Sequence, residues 1–174
     1  VARVGKGIST FSIKLLSEVV QDIVKDRPGE RGIIHTVSYK LSDDLTEYFD
    51  LYSRGRIIRH TAGGRPVAFQ RFKEFGDKWL MSPSAGHGED FPYDAARCQI
   101  IVKVPYPNLG DPWVKARMKT RQEWYGYATM QELWQMVGRV TRSEDAYGET
   151  WILDLNFEDL MRKYGRFCPI EIRK

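Results

Sequence analysis

Residues Gln135-Met-Val-Gly138-Arg139-Val-Thr-Arg142-Ser143 spell Q-x-x-G-R-x-x-R-S and run on through Asp145-Ala-Tyr-Gly148 to Trp151-Ile-Leu-Asp154. At about 100° per residue Gln135, Arg139 and Arg142 share one face of a helix, while Met130, Leu133, Met136, Val137 and Val140 share the opposite one. One face is suited to burial and the other carries two guanidinium groups. A guanidinium is always charged and offers a planar fork of donors that matches phosphoryl oxygens, so two of them one turn apart suit a polyphosphate. The same pair also fits a merely solvated helix face, so the surrounding sequence has to decide.

Working outward, strand and helix signals alternate. Ile13, Leu16, Val20, Ile23 and Val24 recur at helical spacing over Phe11 to Val24, and Arg27-Pro28-Gly29 stops that helix. Gly32 to Val37 is short, β-branched and flanked by turn residues, as a buried strand is. A helix is predicted over Ser42 to Tyr52, capped by Ser42 or Asp43. Further strands are predicted at Arg56 to His60, Lys78 to Met81, Gln99 to Val104 and Thr150 to Leu155. The helices between them are expected over Pro66 to Phe75, Pro112 to Trp124 and Tyr127 to Thr141. Almost wholly apolar strands alternating with helices predict a mainly parallel sheet covered on both faces, an α/β/α sandwich.

The composition is compatible with one such unit: 174 residues, 42% of them hydrophobic, can bury a full core. With 27 basic and 23 acidic residues the net charge is +4, a mild bias that permits a nucleic-acid partner without establishing one. No apolar run reaches the roughly 18 residues of a membrane span and Val1-Ala-Arg-Val-Gly-Lys lacks a signal-peptide core, so an intracellular, soluble chain without a membrane partner is expected. Cys98 and Cys168 are too few for a four-cysteine iron–sulfur site and are expected to be reduced and structural.

The opening segment and two others together resemble the second RecA-like motor domain of superfamily 2 DNA helicases, in the XPD/DinG branch. In that family motif VI is a helix reading Q-x-x-G-R-x-x-R-S, followed by a turn and a strand ending in Leu-Asp. Upstream and in family order, Ser82-Pro-Ser84-Ala-Gly86-His-Gly88-Glu-Asp90-Phe-Pro92 resembles motif V. Gln99-Ile-Ile-Val-Lys-Val-Pro105-Tyr-Pro107-Asn-Leu-Gly110-Asp111-Pro112 resembles the strand and proline-rich turn after it. Gly32-Ile-Ile-His-Thr-Val-Ser38-Tyr39 resembles motif IV. The matches cover most of Arg31 to Leu155. Motif V departs from the family at His87, where an acidic residue is usual, and at Glu89, where an aliphatic one is.

The resemblance implies a RecA-like fold and roles for particular residues. Arg142 and Arg139 would act as arginine fingers at the terminal phosphate of ATP, with Gln135 orienting nucleotide or water. Gly138, Gly88 and Asp90 would lie at the nucleotide, Asp90 against a ribose hydroxyl or an arginine rather than a phosphate, because like charges repel. Ser38, Tyr39, Thr61 and Ser84 would hold the backbone of single-stranded DNA, or of a DNA fork, without reading sequence. The run Lys115, Arg117, Lys119, Arg121 spreads over about 240° of a helix and fits a solvated face instead.

A G-x-x-x-x-G-K-S/T loop is missing, since Val4-Gly5-Lys6-Gly7 has neither the spacing nor the hydroxyl, and there is no Asp-Glu-Ala-His box. The family carries both on an N-terminal RecA-like domain. ATP and Mg2+ are therefore expected to be bound mainly by such a domain in the same parent polypeptide, and this chain alone to be inactive. A stand-alone nucleic-acid-binding module with the same fold and no ATPase activity remains the alternative.

Overall fold

Isoleucine, tryptophan and methionine build the centre of the sheet. In the computed structural model, which describes residues 1–5, 8–83, 96–138, 140 and 148–168, the strands are β1 (Gly32–His35), β2 (Ile57–Ile58), β3 (Trp79–Ser82), β4 (Cys98–Ile101) and β5 (Glu149–Ile152). Every pairing among them is parallel, and the order is β2-β3-β1-β4-β5. β1, β3 and β4 are buried along their whole length, which accounts for their unbroken apolar runs.

The helices divide between the two faces. On one, α1 (Thr10–Lys25) and α2 (Tyr39–Thr46) pack Leu16, Val20, Val24, Leu41 and Leu45 onto Ile34, Trp79, Met81 and Ile100. On the other, α4 (Arg65–Glu74) lays Phe69 and Phe72 over Ile33 and Leu80, while α6 (Trp124–Val137) and α7 (Asn156–Tyr164) cover Ile101 with Met130, Leu133 and Leu160. Each such side chain contributes about 1.5–3 kcal/mol by leaving water. Short helices α3 (Leu51–Arg56) and α5 (Pro112–Thr120) complete the set.

Three expectations change. The helix foreseen over Ser42 to Tyr52 is two helices, and its cap is Ser38, whose hydroxyl accepts the Leu41 N–H at 3.2 Å. The break comes where Asp50 starts α3 by accepting the Ser53 N–H at 2.8 Å while its own N–H donates to Gln21 Oε1 on α1. The helix foreseen from Tyr127 to Thr141 begins earlier and ends at Val137, capped by Gly138. Val140 is nevertheless buried, packed in the cluster under α4. Finally, α7 occupies a stretch in which no element was foreseen.

Both cysteines are buried without a disulfide between them, and burial pushes the Cys98 thiol up to about 12. Among the described residues no helix is long and apolar enough to cross a membrane.

Candidate functional site

The strands all point their carboxyl ends the same way, and the turn after β1 is the most constrained part of that edge. Val37 has φ 63, a left-handed conformation that a β-branched residue adopts only at a cost of order 1–3 kcal/mol. The Thr36 hydroxyl donates to the Ser38 carbonyl at 3.1 Å, bracing the turn from both sides of Val37. Ser38 then caps α2 and Tyr39 opens it. Backbone strain held in this way recurs at ligand sites, which marks the turn as a candidate.

The turn after β2 lies alongside. His60 places Nδ1 2.9 Å from the Thr61 carbonyl and Nε2 2.8 Å from Ser82 Oγ, at the end of β3. A carbonyl only accepts, so Nδ1 carries a proton and donates it to Thr61, while Nε2 and the Ser82 hydroxyl share the second bond. The Tyr39 ring meets the His60 ring edge-on with centroids 5.8 Å apart. Thr61 is exposed and precedes a 3-10 turn, Ala62–Gly64. The structure thus brings Ser38, Tyr39 and Thr61 to one edge of the sheet, with His60 and Ser82 joining them. The sequence reading gave neither of these a role.

Beside this edge runs a groove of about 600 Å³. It draws together Val37 after β1, Pro83 after β3, Pro105 and Tyr106 after β4, and Gln135 on α6. The three segments singled out in the sequence therefore border one space. Aromatic groups dominate its far end: Trp113 and Trp124 meet edge-on at 5.8 Å, and the Arg117 guanidinium lies 4.1 Å and 5.3 Å from their ring centroids. Arg117 is thus more than part of a solvated face, as it covers two indoles. Asp111 caps α5 through the Trp113 N–H at 2.8 Å, which fixes where that indole starts.

The exit of α6 differs from the simplest expectation. Tyr125, in its first turn, donates its hydroxyl to the Pro107 carbonyl beyond the end of β4, whereas Val137, at its last turn, offers its carbonyl to Gln99 inside β4. The helix runs against the strands, and Gly138 leaves it over the sheet face at the level of Gln99 and Thr150. It does not sit beyond the carboxyl edge, where doubly wound sheets usually hold ligands. Gln135 and Gly138 are exposed. Arg139, Arg142, Ser84, Gly88 and Asp90 lie outside the described residues. Among the described residues no three histidine, cysteine, aspartate or glutamate side chains form a group that could hold a metal ion.

Comparison with known proteins bears on this geometry. Residues 20–174 match the family described as Helicase C-terminal domain. Two curated relatives, the Regulator of telomere elongation helicase 1 homologs of Drosophila willistoni and Drosophila virilis, are 33% and 30% identical. Those matches cover 41% and 42% of this chain but only 8% and 9% of the relatives, so the chain spans a small part of their length. Among solved structures, one titled XPD_APO superposes with a TM-score of 0.69 at 16% identity, covering 97% of this chain and 37% of that one. A second, titled XPD_Helicase, gives 0.67 at 18% identity, with 96% and 32% covered. At such identities the likeness shows the fold.

Proposed function

The chain belongs to the helicase C-terminal domain family, and on that premise we propose that residues 1–174 form the second RecA-like motor domain of an ATP-dependent DNA helicase or translocase. Arg139 and Arg142 then reach the terminal phosphate of ATP bound at the interface with an N-terminal RecA-like domain of the same parent polypeptide. Charge developing on the transferred phosphoryl group is what such arginines stabilise, at roughly 10³- to 10⁵-fold in rate. Gln135 orients nucleotide or water, with Gly138, Gly88 and Asp90 near it. Ser38, Tyr39, Thr61 and Ser84 hold the sugar-phosphate backbone of single-stranded DNA.

The observation that carries this reading is the groove in which Val37, Pro83 and Gln135, from three segments far apart in sequence, border one space. A two-domain motor needs that adjacency, because grip on DNA and contact with ATP have to change together when the cleft closes. Mg2+ enters with the nucleotide and is held mainly by the N-terminal domain. The chain alone then hydrolyses no ATP, and a soluble, intracellular setting follows from acting on DNA.

The test is steady-state ATP hydrolysis, with and without single-stranded DNA, by this chain and by the natural polypeptide that contains it, each with and without Arg142→Ala. The expected result is DNA-stimulated hydrolysis by the longer form, none by the chain alone, and a loss of roughly 10³-fold on substitution. DNA binding without hydrolysis, indifferent to Arg142→Ala, would instead identify a binding module.

A further inference from the structure

Gln99 has no exposed surface, yet it sits in β4 among Cys98, Ile100 and Ile101. A primary amide withdrawn from water persists when bonds replace those it lost. All of its hydrogens and its oxygen are engaged: Oε1 accepts from His35 Nε2 at 3.0 Å, and Nε2 donates to Thr150 Oγ1 at 2.9 Å and to the Val137 carbonyl at 3.1 Å. Four elements meet on this one side chain, β1, β4, β5 and the end of α6.

The partners at its two ends are what give it significance. The Val137 carbonyl belongs to the last turn of α6, where helix carbonyls have no partner within the helix, and it lies two residues before Arg139. His35 is the last residue of β1, immediately before Thr36, the strained Val37 and the capping Ser38. A leucine in place of Gln99 would fill the same space without fixing any direction, whereas three hydrogen bonds lock both the height and the rotation of what they touch.

We propose that Gln99 is a positioning residue for ATP hydrolysis. It touches neither nucleotide nor DNA. It pins the carbonyl end of α6, from which the arginine segment departs, and through His35 ties that end to the turn after β1. The inference rests on the role proposed above for Arg142. A displacement of about 1 Å in a group far from the reacting atoms can cost on the order of 10²-fold in rate, so losing the pin falls on turnover rather than on binding.

The experiment compares Gln99→Leu with Arg142→Ala and with Leu133→Ala in the natural polypeptide, assayed below every variant's melting temperature. Leu133 is buried on the same helix within its apolar cluster, so its truncation loosens α6 without removing the amide. The expected result for Gln99→Leu is a kcat for DNA-stimulated hydrolysis reduced about 10- to 100-fold, with KM for ATP and Kd for single-stranded DNA within about twofold. It should exceed the loss in Leu133→Ala at matched melting temperature. An unchanged kcat, or a loss that merely tracks melting temperature across both variants, overturns the inference. If Gln99→Leu does not fold, Thr150→Val decides: it removes one anchor of Nε2 and leaves the other, and a kcat within about twofold of the parent overturns the inference equally. Hydrolysis that survives Arg142→Ala sinks the parent reading, while loss there with wild-type turnover in Gln99→Leu sinks only the present one.

Discussion

Asp154 Oδ2 lies 3.0 Å from the backbone nitrogen of Val104. The other oxygen of the same carboxylate accepts the Val4 N–H at 3.0 Å, and from Asn156 both the backbone N–H at 3.0 Å and the side-chain amide at 2.8 Å. Only 2% of Asp154 is exposed. One buried charge therefore ties the N-terminal segment to the turn leaving β4 and to the start of α7.

Removing it leaves buried donors without acceptors. Asp154→Ala is expected to cost about 2–4 kcal/mol, because each orphaned N–H loses its partner and regains no water. Urea denaturation checks this, and Asp154→Asn should fall between, keeping one acceptor oxygen while turning the donors of its amide NH2 toward a backbone donor. A midpoint unchanged in Asp154→Ala would show that the three segments are held by packing alone.

Gly32 makes a second point of rigidity. A Cβ added there would overlap the Trp79 ring, and Trp79 is fully buried in the cluster under α1 and α2. Gly32→Ala should therefore destabilise by about 1–3 kcal/mol as the indole is pushed off its seat. Thermal unfolding followed by tryptophan fluorescence measures it, and a melting temperature at or above that of the parent would mean that the ring has room to move.

These features show why some of the molecule is legible in sequence and some is not. β1, β3 and β4 announce themselves because each is a short, largely apolar run that is buried along its whole length, as central parallel strands are. The arrest of α2 and restart at α3 rests instead on the Gln21 bond to the Asp50 N–H, a contact between residues 29 apart that no local spacing encodes. α7 escaped because four charged residues dilute its apolar stripe, though Leu160 is buried. In the candidate site the residue types were readable and their division was not: α6 runs against the strands, so Gly138 emerges over the sheet face while Ser38 and Thr61 stand at its edge. Gln99 and His35 were visible as polar residues inside apolar strands, and only the geometry gives them a common partner.

Acid should reveal the anchor of α3. Asp50 is held at about 2, below its ordinary 3.8, first by the hydrogen bond from Lys25 and then by the Ser53 N–H. Its pKa is depressed by folding, so its contribution is present above the ordinary value and lost as pH falls from there through about 2. Asp50→Asn keeps an acceptor for the cap but cannot titrate. Its deficit relative to the parent should therefore be full at about pH 5 and much reduced near pH 2. Urea midpoints at both pH values test this, and a deficit that persists unchanged at the lower one rules out titration of Asp50 as the cause. High salt should shrink the deficit, since the pair with Lys25 is largely exposed.

Ser38 has two roles to separate. Its hydroxyl caps α2, so Ser38→Ala is expected to cost about 1 kcal/mol whether or not the side chain ever meets DNA, and a loss of affinity in that variant alone would be ambiguous. Ser38→Asp resolves it. Aspartate caps as well as serine and its charge suits a helix N-terminus, so stability should stay within about 0.5 kcal/mol of the parent. Against a phosphate the same charge is repulsive, and single-stranded DNA binding at low salt should weaken by about tenfold, with the difference narrowing as salt screens it. Fluorescence anisotropy with a labelled oligonucleotide, run on the natural polypeptide, gives the affinity. Parental affinity in a fully stable Ser38→Asp would mean that the phosphate path avoids the turn after β1, and that the strain at Val37 serves the fold rather than the grip.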